Sequence, residues 1–478
     1  MIDEKIEDKL VELSESDVYP FHMPGHKRQI NSKINPYSID ITEIENFDNL
    51  HDAKGIIANA QEKASKLYGS RKTYYLINGS TCGLLASIFA VTKRGSKVVI
   101  ARNCHKAVYN AALLRELEIK YIYPLITEYG IQGKIIEEDI ENILEEDEQI
   151  SAVVITSPTY DGVVSNVRKI CQIAHKKDIP VIVDGAHGAH LGFSEDMPEN
   201  PVKLEADLVI ESVHKTLPAF TQTALLHVCT DRVDRGKIEK YLGIFETSSP
   251  SYVLMSGIEK ALDLIKDNKV ELFLEFKDKR DDFYEKVSKL NKLKVLRKQD
   301  FSEKEAYDFD ESKIIMMTNE AGISGKRLQE ILLDEYQIQL EMSAGNYALA
   351  ISTIMDTKEG FDRLANALVE IDRRIQRDQE KISNINKDDK ILNASIYQSK
   401  EKVMEIYEAD RANYKAVALD EAIGRISKNY INIYPPGIPL LVPGEKISKT
   451  ILEDIKKIID LKLEIQGLKD ENRINIVI

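Results

Sequence analysis

The chain has 478 residues, of which 43% are hydrophobic and 30% are charged, a composition typical of ordinary globular proteins and long enough for several domains. Its formal net charge of −14 argues against nucleic acid as a partner, because such partners need a basic surface. No apolar run approaches the roughly 18 residues that span a bilayer, the charged N-terminus lacks a signal-peptide core, and the four cysteines form no Cys-x-x-Cys pair, so we expect a cytoplasmic protein without membrane partner, disulfide framework or zinc site.

The first two predicted regions are an N-terminal arm, residues 1–44, and a large domain, residues 45–265. In the arm, residues 2–13 place apolar side chains on one helical face, whereas residues 20–27 contain too much Pro and Gly for a helix. In the large domain, helices alternate with short strands that are apolar throughout. This pattern is typical of a mostly parallel sheet covered on both faces, and it predicts an α/β fold.

Two smaller regions follow. A charged helical stretch at 267–290 opens a predicted small α+β domain, residues 266–375. The polar stretch 373–402 predicts a linker into a C-terminal domain, residues 376–478. Four prolines and two glycines in residues 434–445 predict an extended, turning backbone there.

Small polar residues open the helix predicted to begin near Cys82. A turn of this kind exposes unpaired N–H groups at a helix N-terminus, and the hydroxyls of Ser80 and Thr81 add donors, which together make a phosphate site. Plain N-capping of the helix is the structural alternative.

His105 follows the strand predicted at 97–101, where it could stack on a flat ring. An ordinary loop histidine is the alternative. The neighbouring Cys104 is disfavoured as a nucleophile, because nothing nearby would lower its thiol pKa.

Asp184 ends an apolar strand, at the edge where α/β sheets bind ligands. Its carboxylate could pair with a pyridine nitrogen, and the small Ala186 would let a ring lie close. The alternatives are a helix N-cap for Asp184 and structural turn histidines at His187 and His190. A metal site at the two histidines is disfavoured, because no acidic cluster accompanies them.

The segment Ser212-Val213-His214-Lys215-Thr216 follows the last predicted apolar strand. A lysine there can form a Schiff base with an aldehyde cofactor, while the hydroxyls and the imidazole hold a phosphate. A solvated charge at a strand end is the alternative. The order of phosphate turn, stacking histidine, aspartate and lysine, with Asp184 and Lys215 31 residues apart, predicts a pyridoxal phosphate (PLP) site on an aspartate aminotransferase-like fold.

Taken together, the motifs resemble those of the Orn/Lys/Arg decarboxylases of PLP fold type I, in the short form common in Gram-positive bacteria. Nearly the whole chain takes part, through nine segments in the same order: residues 22–27, 40–43, 48–51, 78–81, 102–106, 184–190, 212–216, 247–252 and 434–439. One departure is visible, since many relatives carry Glu at the position of Gly185. The extra N-terminal wing domain of the long family members is also not expected here.

The resemblance implies a role for each candidate residue. The catalytic group would be Lys215 as the Schiff-base lysine, His105 stacked on the cofactor ring and Asp184 on the pyridine nitrogen. Ala186 would lie against the other face of the ring. The phosphate would be bound by Ser80, Thr81, Ser212 and His214, with Thr247 reaching it from a neighbouring subunit, and Glu445 would contact the cationic end of the substrate.

The implied activity is PLP-dependent decarboxylation of a basic L-amino acid, arginine or lysine foremost and ornithine as a further possibility. The products would be the amine and CO₂, as in polyamine biosynthesis, and the enzyme would be a homodimer or larger with its active sites at the interface. An aminotransferase or other PLP enzyme on the same fold is an alternative, and so is a catalytically silent cofactor-binding homologue, because fold alone does not fix the reaction.

Overall fold

The computed structural model describes residues 5–30, 34–379, 400–433, 439–460, 465–470 and 472–478. None of the helices described is both long and apolar enough to cross a membrane. The helices are α1 (Ile6–Glu15), α2 (Ile56–Tyr68), α3 (Gly79–Val91), α4 (Lys106–Arg115), α5 (Glu137–Glu146), α6 (Val167–His175), α7 (Val213–Thr216), α8 (Arg235–Phe245), α9 (Tyr252–Val287), α10 (Gly325–Tyr336), α11 (Lys358–Gln379), α12 (Ile406–Arg411) and α13 (Lys449–Asp460).

The strands alternate with helices in the first half of the chain and cluster in the second. In chain order they are β1 (Tyr19–Phe21), β2 (Lys72–Leu76), β3 (Lys97–Ala101), β4 (Glu118–Ile122), β5 (Ile150–Thr156), β6 (Val163–Val164), β7 (Val181–Asp184), β8 (Leu208–Glu211), β9 (Ala224–Val228), β10 (Lys294–Val295), β11 (Asp308–Phe309), β12 (Lys313–Met317), β13 (Ile338–Leu340), β14 (Met342–Ser343), β15 (Tyr347–Ile351), β16 (Tyr414–Ala418), β17 (Ile431–Ile433), β18 (Pro439–Leu441), β19 (Ile465–Gln466) and β20 (Arg473–Val477).

A seven-stranded sheet organises the large domain in the order β2-β9-β8-β7-β5-β3-β4. The pairs from β8 through β7, β5 and β3 to β4 are parallel, and β9 runs antiparallel to both β2 and β8. Strands β7, β8 and β9 are buried along their whole length, which explains why they are apolar throughout. The predicted α/β fold with a mostly parallel central sheet is confirmed.

A second, antiparallel sheet of order β10-β12-β15-β14 follows α9, together with α10 and α11. The N-terminal arm joins this region, since β1 pairs in parallel with β13. The long helix α9 runs across the predicted domain boundary at residues 265 and 266, and its backbone leaves helical geometry at Asn268 (φ −128°, ψ 16°).

The C-terminal region has an apolar core of its own. Its strands form the pair β16-β20 and the three-stranded sheet β18-β17-β19, packed with α13. The predicted linker overlaps α11, which stays helical to Gln379, while residues 380–399 lie outside the described residues.

The N-terminal helix is shifted from its prediction. It spans Ile6–Glu15 rather than residues 2–13, and none of its residues is buried. Residues 1–4 lie outside the described part of the chain.

Candidate active site

A cavity of about 500 Å³ opens where the parallel strands of the large sheet end. This volume suits a cofactor together with a small substrate. Every residue predicted to bind the cofactor lines the cavity except Thr247: Ser80, Thr81, His105, Asp184, Ala186, Ser212, His214 and Lys215. The predicted residues meet because parallel strands bring their carboxyl ends to one edge of the sheet.

The predicted phosphate turn forms one wall. Helix α3 begins at Gly79, whose φ of +73° is a left-handed conformation that favours glycine. The hydroxyl oxygens of Ser80 and Ser212 lie 2.6 Å apart. The N-terminus of α3 therefore meets a hydroxyl from the lysine segment, and the two supply converging donors for an anion.

One of the two ring nitrogens of His214 is bonded to the backbone. Its Nδ1 lies 2.8 Å from the carbonyl oxygen of Thr223 and donates to it. Burial lowers the pKa of His214 to about 4. A phosphate dianion near Nε2 would raise that pKa again, because an opposite charge favours the protonated ring.

Asp184 is 2% exposed at the end of β7. Its Oδ1 accepts a hydrogen bond of 3.2 Å from the backbone N–H of Ala186. Burial raises the pKa of Asp184, and the charge of Lys215 opposes that rise. A protonated ring nitrogen would add the close cation that the carboxylate needs in order to stay ionised at this depth.

His105 caps the N-terminus of α4, with Nδ1 accepting from the backbone N–H of Ala107 at 3.2 Å. Burial, together with the cations of Lys215 and Lys106, lowers its pKa to about 4. The ring is therefore neutral and anchored by its cap, which suits a ring that lies flat against a cofactor.

Lys215 lies in α7, the four-residue helix that follows β8. Burial lowers the pKa of its amino group to about 8, although the carboxylate of Asp184 works against that shift. The Nζ atom lies 2.9 Å from Nε2 of His187. An amine with this pKa is partly unprotonated near neutral pH, as a Schiff-base lysine must be.

Glu341, Tyr160 and His187 line the cavity, although no binding role was predicted for them. Glu341 follows β13 and accepts hydrogen bonds from the backbone N–H of Met23, at 2.8 Å, and from the hydroxyl of Tyr160, at 2.5 Å. His187 was treated as a turn histidine, but it lines the cavity beside Lys215. Glu341 and Tyr160 lie outside the nine motif segments, whereas His187 belongs to the segment 184–190 and could have been found there.

Glu445 is not brought to the cavity. Its carboxylate is fully buried and forms a two-point ion pair with Arg102, with Nε–Oε1 and Nη2–Oε2 distances of 2.9 Å each. Oε2 also accepts from the backbone N–H of Val442 at 2.8 Å. Both oxygens therefore have partners within the chain, and the expected contact of Glu445 with a substrate stays a prediction.

Thr247 lies on the segment between α8 and α9, outside the cavity wall. Its backbone N–H donates to Oδ1 of Asn78 at 3.3 Å, and its carbonyl oxygen lies 2.9 Å from Nε2 of His51. A role across a subunit interface stays a prediction. Residues 434–438 of the Pro-rich motif lie outside the described residues.

Gly185 lies beside the buried base of the site. A Cβ atom there would be 3.4 Å from the carbonyl oxygen of Ile210 and from Cγ1 of Val209, which is ordinary contact. The glycine is therefore not required by close packing at its Cβ, and the departure from relatives leaves Asp184 and Lys215 in place. Among the described residues, no group of three or more His, Cys, Asp or Glu side chains could hold a metal ion.

Comparison with known proteins places these features in a family. The model of the Orn/Lys/Arg decarboxylase major domain matches residues 6–360, and that of the C-terminal domain of the same family matches residues 390–472. The arginine decarboxylase of Bacillus subtilis is 30% identical, covering 94% of this chain and 92% of the relative. The inducible lysine decarboxylase of Escherichia coli is 25% identical, covering 92% of this chain and 73% of the relative.

Solved structures show the same fold at lower identity. The lysine decarboxylase LdcF of Francisella novicida aligns with a TM-score of 0.75 at 20% identity, covering 90% of this chain and 73% of that one. An alanine–glyoxylate aminotransferase from Nostoc aligns with a TM-score of 0.53 at 12% identity, covering 71% of this chain and 100% of that one.

Proposed function

Because the chain belongs to the Orn/Lys/Arg decarboxylase family, we propose that it uses PLP to decarboxylate a basic L-amino acid to the corresponding amine and CO₂. The observation that carries the proposal is the convergence of Lys215, Asp184 and the Ser80–Ser212 hydroxyl pair on one cavity. These groups match the aldehyde, the ring nitrogen and the phosphate of one ligand.

The side chains fit the cofactor in charge as well as in position. Among the described residues, Lys215 is the cation that acts on the buried carboxylate of Asp184, and a ring nitrogen would supply a second one. The N-terminus of α3 offers N–H donors beside the two serine hydroxyls. When bound, PLP supplies a protonated ring that takes up the electron pair released with CO₂.

The chain's own residues bind and orient that ring. Lys215 would attach the cofactor, and Asp184 would hold a proton on the pyridine nitrogen. His105 would cover one face of the ring, and the small side chain of Ala186 would allow close approach to the other. The phosphate would be bound by Ser80, Thr81, Ser212 and His214, with Thr247 from the second subunit of a homodimer.

Glu341 is the proposed carboxylate for a cationic group of the substrate. The cavity wall carries two acidic side chains among the described residues, Asp184 and Glu341, and the ring nitrogen occupies the first. A carboxylate has about four acceptor positions, so that Glu341 can bind a cation while keeping its bonds from Met23 and Tyr160. Glu341→Gln should raise KM for the basic substrate about tenfold or more, since it removes a charge-assisted hydrogen bond. Unchanged KM in steady-state assays would contradict this role.

Arginine is the first substrate to test, since the relatives with 27–30% identity include several named arginine decarboxylase. The experiment incubates the purified protein with PLP and with arginine, lysine or ornithine separately, and measures CO₂ and amine. Release from at least one substrate is expected. Amino transfer to a keto acid without CO₂ would favour the aminotransferase alternative, and no turnover with a bound cofactor would favour a silent homologue.

Lys215→Ala is the matched variant for the cofactor. The wild-type protein with PLP should absorb at about 420 nm, the band of a protonated Schiff base, and Lys215→Ala should lack this band because it has no amine to form the bond. An identical spectrum in both proteins would overturn the assignment of Lys215.

We also propose that the reaction takes place in the cytoplasm and serves polyamine biosynthesis. The four cysteines are free thiols in the structure, as a reducing compartment maintains them. Decarboxylated basic amino acids are polyamines or their precursors, which connects the proposed product to that pathway.

A further inference from the structure

His187 contacts the amino group that the proposed function depends on. Its Nε2 lies 2.9 Å from Nζ of Lys215, which is hydrogen-bond distance. His187 reaches this position from the turn after β7, the strand that ends in Asp184. The turn that carries the ring-binding carboxylate therefore also carries a partner for the lysine.

The imidazole of His187 is enclosed. The residue is 5% exposed, and its Nδ1 has no hydrogen-bond partner among the described residues. Its ring centroid lies 4.6 Å from that of Tyr160 at an interplanar angle of 54°. Since Tyr160 donates to Glu341, the ring is fixed from the cavity side by a side chain that is itself bonded.

The hydrogen bond between Lys215 and His187 can form whether Lys215 is protonated or neutral. An ammonium can only donate, so that a protonated Lys215 requires Nε2 to accept. A neutral amine can also accept a hydrogen bond from an N–H at Nε2. Burial lowers the pKa of His187 well below its usual value, with Lys215 the next largest cause, so that the ring is the neutral partner in both states.

Several charged groups from the surrounding elements act on this pair. Those that act on the charge of Lys215 are Asp184, Glu341 and Lys313, and those that act on His187 besides Lys215 are Lys313, Asp310 and His105. Asp184 and Glu341 favour the ammonium form of Lys215, whereas burial and Lys313 favour the amine. Opposing effects therefore act on the ammonium and amine forms of Lys215, and His187 lies within hydrogen-bond distance of its nitrogen.

We propose that His187 is a positioning residue for Lys215, holding Nζ toward the cavity whenever that nitrogen is not bonded to the cofactor. The inference rests on the proposed function, because it assigns a task that arises only if Lys215 forms and releases a bond to PLP. The nitrogen is free before the cofactor is attached and again after the substrate has displaced it. In both periods the long lysine side chain must remain aimed, and one fixed acceptor achieves this.

The test follows attachment of PLP to cofactor-free protein by stopped-flow absorbance at about 420 nm, at saturating PLP and across a pH series. The wild-type rate should rise through a midpoint near the pKa of Lys215, about 8. His187→Phe keeps a ring against Tyr160 but removes the acceptor. The rate of His187→Phe at the high-pH plateau should fall about tenfold, because Lys215 is no longer held in position. The midpoint should fall by about one pH unit, because the ammonium form of Lys215 loses a hydrogen bond.

His187→Gln retains an acceptor at similar reach and should restore the wild-type midpoint, which a merely structural role for the ring would not predict. His187→Asn, whose side chain is too short to reach Nζ, should behave like His187→Phe and repeats the test if the latter does not fold. The matched control is His175→Gln, a histidine paired with Asp207 at 2.8 Å at the opposite end of the sheet, and it should leave both values unchanged.

A normal band in the wild type, with unchanged plateau and midpoint in both His187→Phe and His187→Asn, would overturn this inference alone. A wild-type protein that forms no band would overturn the proposed function and the inference with it.

Discussion

Three buried charged or polar residues form a cluster outside the cavity wall, and one of them, Lys313, acts on the charge of Lys215. Lys313 and Asp310 are fully buried, with Nζ 3.5 Å from Oδ2, and Nε2 of His190 lies 3.2 Å from the same oxygen. Burial alone would raise the pKa of Asp310, yet His190 and Lys313 outweigh it and hold that pKa well below its usual value. Removing one partner from such a group leaves a buried charge without compensation.

Asp310→Asn should therefore lower the free energy of unfolding by about 3–5 kcal/mol, measured by urea denaturation at neutral pH. The low pKa of Asp310 means that its contribution is present above the ordinary carboxyl range and is lost as pH falls through and below it. The difference between wild type and variant should accordingly shrink in acid. The control is Glu62→Gln, which removes an exposed pair with Lys66 and should leave unfolding unchanged; equal stability of Asp310→Asn and wild type would contradict the prediction.

At this scale the sequence predicted the residues that stand in contiguous motifs after strands. Asp184, Lys215 and His105 each follow an apolar run, and the sheet brings the ends of those runs together. Glu341 could not be found this way, because it enters from a separate sheet. The pairing of Glu445 with Arg102 was not predictable either, because the two residues are 343 positions apart in sequence.

At the scale of secondary-structure elements, residues 22–27 pack closely against α7, the helix that carries Lys215. The backbone N–H of Gly25 donates to the carbonyl oxygen of His214 at 2.7 Å. A Cβ atom on Gly25 would lie 2.7 Å from the carbonyl oxygen of Leu217 and 2.9 Å from its nitrogen. Glycine is thus needed here for close approach of two backbones.

Gly25→Ala should force this segment and α7 apart, lowering the unfolding free energy by about 1–3 kcal/mol. It should also slow PLP attachment, because α7 carries Lys215. Denaturation and the 420 nm assay measure the two effects. Gly243→Ala, at a helical site where a Cβ meets nothing within 4 Å, is the control. It should be neutral or stabilising by about 0.5–1 kcal/mol; similar losses in both variants would refute the close-approach argument.

Elements were predictable where burial imposes an apolar pattern. Strand β3 begins and ends at the residues predicted for it, 97–101. The N-terminal helix was placed several residues early, since an exposed helix has no packing to fix its ends. The start of α9 was also missed, because its first half is buried and apolar whereas the prediction followed charge.

At the scale of the whole molecule, the proposed homodimer predicts that each active site receives Thr247 from the other subunit. Thr247→Ala should raise the PLP concentration for half-saturation about tenfold, through loss of a hydrogen bond to a charged phosphate. In a dimer of one Lys215→Ala and one Thr247→Ala subunit, purified through two different tags, the site with Lys215 would receive Thr247 from its partner.

That mixed dimer should show about half the activity of the wild-type dimer at limiting PLP, because one of its two sites is complete. If Thr247 serves its own subunit, the same site lacks it, and activity would not exceed half that of Thr247→Ala alone. A fully active monomer in light scattering would refute the arrangement altogether.

The order of the regions along the chain was predictable from changes in pattern, but their attachments were not. The arm was expected as a separate segment, yet β1 adds to β13 of a region more than 300 residues later in the chain. Such pairings depend on backbone hydrogen bonds, which carry no residue signature.

The pairing of Arg102 with Glu445 limits how the protein can be shortened or recombined. The C-terminal region has its own core, which invites its removal as a dispensable module. Its deletion would remove two partners of Arg102: the carboxylate of Glu445 and the carbonyl oxygen of Pro439, which lies 2.8 Å from Nη1. Arg102 lies three residues before His105 in the chain. Truncation would therefore disturb the chain next to the active site. A chimera would need Arg102 and Glu445 from compatible parents.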